Sequence, residues 1–269
     1  MVTDCINPAI LLTMTNLLRL IFLLAWAGSA TAQSVSATYQ PIPQIRSPEL
    51  RQLQIDWRSN RLLEGMAEQL SRQFTLSQPL KIGLGECGMS NAFYKSDAKT
   101  IVLCLELIPD LVSRILREQG TRLDRETINN TVVGALVFIV FHELGHAIID
   151  IESLPVLGRN EDAADMISTY LILQEPALAD RAVAGGLFFF SKPTSLIPGF
   201  FNQQHMSDEH GLNPQRAVNL ACAAYGKEPS RFVWAMQAAR VTNQRASRCA
   251  GEYAQLDRSV RGLLRNVIR

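Results

Sequence analysis

Residues 131–149 are almost uninterruptedly apolar, and the only ionisable side chains among them are His142, Glu143 and His146. Such a run, with Asp124 ahead of it as a cap, predicts a buried helix. Pro155 and Gly158 end it near Asp150. Upstream, Leu50, Leu53, Trp57, Leu62, Met66 and Leu70 recur at helical spacing and predict one or two amphipathic helices over residues 49–74. Residues 80–85 and 100–104 alternate as strands, with Asn91-Ala92-Phe93-Tyr94 and a turn-rich Lys95-Ser96-Asp97-Ala98-Lys99 between them, which predicts a small antiparallel sheet. Residues 107–117 read as a helix. Downstream, Asn160 is a candidate cap for a helix to about Leu173, Pro176 opens another to Phe190, and Asn213-Pro214 opens a third to about Ala224. Two more are expected near 231–239 and 246–267, with an irregular loop over 191–205. The fold class is therefore α+β, mostly α: a small antiparallel sheet packed on the buried helix, followed by a helical C-terminal half.

Composition narrows the setting. A chain of 269 residues, 47% hydrophobic, suffices for one sizeable domain, and a net charge of +1 without a basic run gives no footing for nucleic acid or an anionic membrane surface. Residues 17–27 form a short apolar core carrying only Arg19 near its start, and Ala30-Thr31-Ala32 is a small-x-small cleavage pattern, so residues 1–32 read as a signal peptide. Residues 1–13 carry Asp4 and no Lys or Arg, which makes Met14 an alternative start. Residues 33–48, with Pro41 and Pro43, read as an extended lead-in. Residues 49–269 then form a single domain, its sheet-containing part at about 75–150 and its helical part at about 151–269. Removing the leader discards Cys5 and leaves Cys87, Cys104, Cys222 and Cys249, which permit three pairings. The sequence-local one, Cys87 with Cys104 and Cys222 with Cys249, is expected for an exported protein in an oxidising compartment, periplasmic or secreted.

The chemistry concentrates in His142-Glu143-Leu144-Gly145-His146. On a helix, residues four apart share a face, so both imidazoles can present to one zinc ion, with Glu143 on the adjoining flank as general base for a zinc-bound water. Burying three such groups unpaired would cost several kcal/mol, which a metal with its ligands offsets. Catalytic zinc usually takes three protein ligands, and Glu161 is the leading third; Asp162 and Asp165 are alternatives. Asp165, four residues on, suits the free ring N–H of a zinc-bound histidine. His210, beside Asp208 and Glu209, is the candidate oxyanion donor, with Tyr94, Tyr225 and Arg216 as rivals. Asn91 and Ala92 on an exposed edge could align an extended peptide by strand addition.

Glu161-x-x-Ala164-Asp165 after His142-Glu143-x-x-His146 resembles the glutamate-zincin metallopeptidases, and Asn91-Ala92-Phe93 resembles the substrate-aligning edge strand of thermolysin-like enzymes. The interval before Glu161 is shorter than in the well-studied members. More closely, the chain is similar to a family of uncharacterised, exported bacterial proteins regarded as metallopeptidases. That likeness rests on Glu86-Cys87-Gly88, Asn91-Ala92-Phe93-Tyr94, Cys104, the His142–Ala147 segment, Gly158-Arg159 with Glu161-Asp162-Ala163, and Asp208-Glu209-His210. It continues through Gln215-Arg216, Asn219, Cys222 and Tyr225-Gly226. The resemblance implies a zincin-like fold, one zinc per chain on His142, His146 and Glu161, Asp165 behind the ligands, and a peptide or protein substrate. A non-catalytic protein retaining the zincin scaffold is the alternative, disfavoured because a structural site has no use for Glu143. An intramembrane protease is disfavoured by Asn129 and Asn130 and by the lack of flanking positive charge, so no stable membrane insertion is expected after leader cleavage.

Overall fold

The structure, a computed structural model, describes residues 34–119, 123–191 and 212–269. The expected signal peptide, residues 1–32, lies outside the described residues. By contacts the chain forms two compact units. One runs to Val133 and takes in Asp150–Glu152 and Asn266–Arg269; the other comprises Gly134–Ile149 and Ser153–Arg265.

The first unit carries the sheet. Strand β1 (Val35–Tyr39) is followed by helices α1 (Pro48–Ser59) and α2 (Leu62–Gln73), then β2 (Leu80–Gly85), β3 (Ala92–Lys95), β4 (Thr100–Cys104) and α3 (Leu107–Gln119). The helical pattern over residues 49–74 resolves into two helices because Arg61 adopts a left-handed backbone, φ 54°, between them. Ser47 caps α1 by accepting a hydrogen bond from the Leu50 amide at 3.3 Å.

The sheet order is β1-β2-β4-β3, with β1–β2 and β2–β4 parallel and only β3–β4 antiparallel. This corrects the expected antiparallel sheet in one respect: the β3–β4 hairpin is there, but the sheet is mixed. The lead-in is corrected too, since its Val35, Ala37 and Tyr39 sit in register with Leu80, Ile82 and Leu84. A parallel partner requires a long crossover, and α1 with α2 supplies it. Alternation within a strand reveals its buried face but not its neighbour's direction. Val35 is fully buried, and its amide donates to Ser71 Oγ on α2 at 2.9 Å while its carbonyl accepts from the same hydroxyl at 3.1 Å. Ile82, Ile101, Leu63, Leu70 and Ile115 complete this core. In the hairpin, the Tyr94 hydroxyl and Lys99 Nζ both donate to Asp150 Oδ2 at 2.7 Å.

Helix α4 (Arg125–Ile151) belongs to both units. Asp124 caps it as expected, accepting from the Thr127 amide at 2.7 Å. The helix is long and apolar enough to span a bilayer, yet 94% of its most apolar window is buried, so its hydrophobicity serves a protein core.

The second unit adds α5 (Asn160–Leu173), α6 (Pro176–Phe190), α7 (Asn213–Lys227), α8 (Pro229–Ala238) and α9 (Asn243–Leu263). Gly134 and Gly185 let α4 and α6 cross with their backbones touching, where a Cβ on either would overlap the other helix. The last expected helix ends early, at Leu263 rather than Val267, and the tail forms a bridge between Ile268 and Phe74 in the first unit. Both disulfides are the sequence-local ones: Cys87–Cys104 joins the ends of β2 and β4, and Cys222–Cys249 joins α7 to α9. Cys222 and Cys249 are 27 residues apart, a closure worth about 3–4 kcal/mol in the chain-entropy picture.

A Cys222→Ser/Cys249→Ser double variant is therefore expected to lose about 2–4 kcal/mol in urea denaturation under non-reducing conditions. Asp150 is held below its ordinary value of 3.8 by the hydrogen bonds from Lys99 and Tyr94. Its contribution is present above that value and lost as pH falls through the depressed one. Asp150→Asn should lower the denaturation midpoint by no more than about 1 kcal/mol at pH 7, because the pair is partly exposed. The difference from wild type should begin to shrink as pH falls below 3.8.

Candidate metal centre

Helical periodicity places His142 and His146 one turn apart on α4, their rings edge to face with centroids 4.7 Å apart. After α4 the Leu154 amide closes back on the Ile149 carbonyl at 2.9 Å, and Gly158, at φ 115°, makes a turn that only glycine adopts readily. Helix α5 then returns against α4. The two pack closely because residue 145 is glycine: a Cβ there would lie 2.8 Å from the Ala164 carbonyl oxygen.

That crossing brings Glu161 to the histidines. Its Oε2 is 3.2 Å from His142 Nε2 and its Oε1 is 3.2 Å from His146 Nε2, and the two Nε2 atoms are themselves 3.2 Å apart. The outer nitrogens are held separately. His142 Nδ1 is 2.9 Å from Asp165 Oδ1, and His146 Nδ1 is 2.7 Å from Asn160 Oδ1. Asn160 Oδ1 accepts, so His146 Nδ1 carries its ring's hydrogen, and the Asp165 carboxylate beside His142 Nδ1 favours the same tautomer there; with both rings neutral, their Nε2 lone pairs then turn towards Glu161. Two imidazole lone pairs and a carboxylate facing one another at these distances repel unless something positive lies among them. Ligands about 2.0–2.1 Å from one ion and 3.2 Å apart subtend close to the tetrahedral angle at it. The residues present therefore fit a divalent cation.

Electrostatics agree. Burial disfavours a charged His142, but hydrogen bonds to Asp165 and Glu161 outweigh it and raise its pKa to about 9, with the Glu143 charge adding to the effect. Asp165 is pulled the other way: burial would raise it, yet Arg216 and His142 hold it below the ordinary aspartate value. With both histidines neutral, as metal ligands must be, three acids among the described residues, Glu143, Glu161 and Asp165, against one guanidinium, Arg216, leave a formal excess of two negative charges in this nearly buried cluster.

His142, His146 and Glu161 are thus brought together as expected. Of the alternative third ligands, Asp165 faces Nδ1 rather than Nε2, and Asp162 is exposed. Glu143, buried at 7% exposure, follows His142 on α4. Ala92 starts β3, an outer strand of the four-stranded sheet in the first unit, and Asn91 immediately precedes it. Among the proposed oxyanion donors, Tyr94 bonds Asp150 and Arg216 is committed to Asp165, while His210 lies outside the described residues. Two residues take roles the sequence did not suggest. Asn160, expected as a helix cap, makes no cap bond, and Arg159 occupies that position; the Asn160 amide is spent on His146. Its signal was the buried ring itself, whose second nitrogen needs an acceptor. Arg216, an arginine on an otherwise apolar helix face, required a buried carboxylate partner.

A family model, DUF4344, described as "Putative metallopeptidase", matches residues 43–264. No curated protein and no solved structure matches the chain.

Gly145→Ala is expected to push α5 from α4 and cost about 1–3 kcal/mol, measured as a lowered urea midpoint.

Proposed function

The chain belongs to the family which that model describes, and from this premise we propose that it is a zinc-dependent peptidase with one zinc per chain, held by His142, His146 and Glu161. The observation that supports the reading is the meeting of both Nε2 atoms with the two Glu161 oxygens at 3.2 Å. Two imidazoles and one carboxylate make the donor set of an open catalytic zinc, and zinc held there supplies Lewis acidity that polarises a peptide carbonyl and makes water nucleophilic near neutral pH.

The chain's own residues do the rest. Glu143 takes the attacking water's proton on its carboxylate and returns it to the leaving amine. Asp165 and Asn160 accept the Nδ1 hydrogens of His142 and His146, which fixes both rings with Nε2 inward. Ala92, in the outer strand β3, offers backbone groups to an extended peptide as an added strand, with the Asn91 side chain beside it as a further contact, since the Asn91 carbonyl already accepts from the Cys104 amide. His210 is assigned the oxyanion from its sequence context alone. The substrate is a peptide or protein, met in an oxidising compartment outside the cytoplasm, where two disulfides persist.

Metal analysis of the purified mature protein beside Glu143→Gln, with casein hydrolysis measured for both, tests this reading. Zinc near one per chain is expected in each, with hydrolysis at least about 100-fold slower in the variant. Equal hydrolysis removes Glu143 from its role, and a parent protein without bound zinc removes the centre.

A further inference from the structure

Behind His142, contacts from four helices close into a ring. Asp165, on α5, receives both arms of one guanidinium: Arg216 Nε donates to Oδ2 at 2.6 Å and Nη2 to Oδ1 at 2.8 Å. Arg216, on α7, stacks its Cζ 4.5 Å from the centroid of the Phe190 ring on α6. Phe190 meets Phe138 edge to face, centroids 5.1 Å apart at 82°. Phe138 lies on α4 one turn before His142, whose Nδ1 is 2.9 Å from Asp165 Oδ1. We infer that Arg216 is a positioning residue for the metal centre, acting through Asp165 on the Nδ1 hydrogen of His142; the inference rests on the metal-binding reading above.

The argument is geometric. A carboxylate bound only by one imidazole N–H can swing about its Cβ–Cγ bond and present either oxygen, whereas two parallel bonds from a planar fork fix its plane. Arg216 is 7% exposed and lies over the Phe190 ring, which restrains the fork. The Phe138–Phe190 contact ties that fork to the same helix that bears the ligand. Any rotation of Asp165 would therefore be resisted from both sides of His142. A direct role on substrate fits less well, since Nε and Nη2 are already spent on Asp165.

The test measures metal affinity rather than turnover. Zinc dissociation constants from chelator competition, and visible spectra of the cobalt-loaded protein, are compared for the mature parent, Arg216→Lys, Arg216→Met, Asp165→Asn and the Arg216→Met/Asp165→Asn double variant. Arg216→Met should bind zinc about 10–100-fold more weakly and shift the cobalt bands, as outer partners of metal ligands do. Arg216→Lys, which keeps the charge and loses the fork, should fall between. The double variant should bind no more weakly than Asp165→Asn alone, because Arg216 acts only through that carboxylate. Circular dichroism verifies folding, and if Arg216→Met does not fold, Arg216→Lys carries the comparison. Parental zinc affinity and cobalt bands in the folded Arg216 variants, with only peptide hydrolysis impaired, would overturn the inference. A parent that binds neither zinc nor cobalt would instead overturn the metal centre, and this inference with it.

Discussion

The helical unit is constrained above all by the cost of placing His142, Glu143 and His146 in the apolar, buried stretch of α4. An unpaired polar group taken out of water costs several kcal/mol, and a charge more. The neighbouring elements supply partners. Glu161 faces both inner nitrogens, Asp165 and Asn160 take the outer ones, and Arg216 answers Asp165. Asn160, Glu161 and Asp165 all lie on α5, which must approach α4 closely, and this explains glycine at 145; glycines 134 and 185 do the same for the crossing of α4 with α6. Chemistry and packing thus ask the same thing of the helix.

Much of this was legible in residue order. Two histidines four apart around a glutamate define a face by periodicity alone, and the loop broken by Pro155 and Gly158 returns the chain with Glu161 in the first turn of the next helix. The cysteine pairs were legible because each closes a short loop. Less visible was anything depending on who lies beside whom. Val35, Ala37 and Tyr39 alternate over too few residues to separate a strand from an extended tail, and nothing local fixes a parallel neighbour 45 residues away (Val35 with Leu80). Asn160 looked like a cap because asparagine before a helix usually is one; only the position of His146 shows its amide otherwise engaged. Arg216 reads from the sequence only as one rival oxyanion donor, since its partner lies 51 residues back.

The disulfides complement that architecture. Cys222–Cys249 pins α7, which bears Arg216, to α9, and Gly226 allows the α7 backbone to lie directly against Cys249. The covalent link is thus on the helix that carries the outermost member of the polar chain.

One feature of α4 bears on how such a protein could be divided. Its first turns and its final residues belong to the sheet-bearing unit, while 134–149 belong to the other. A cut at either end of the helix would deprive the sheet-bearing unit of residues that belong to it, the final four among them, so no single cut there frees either unit whole.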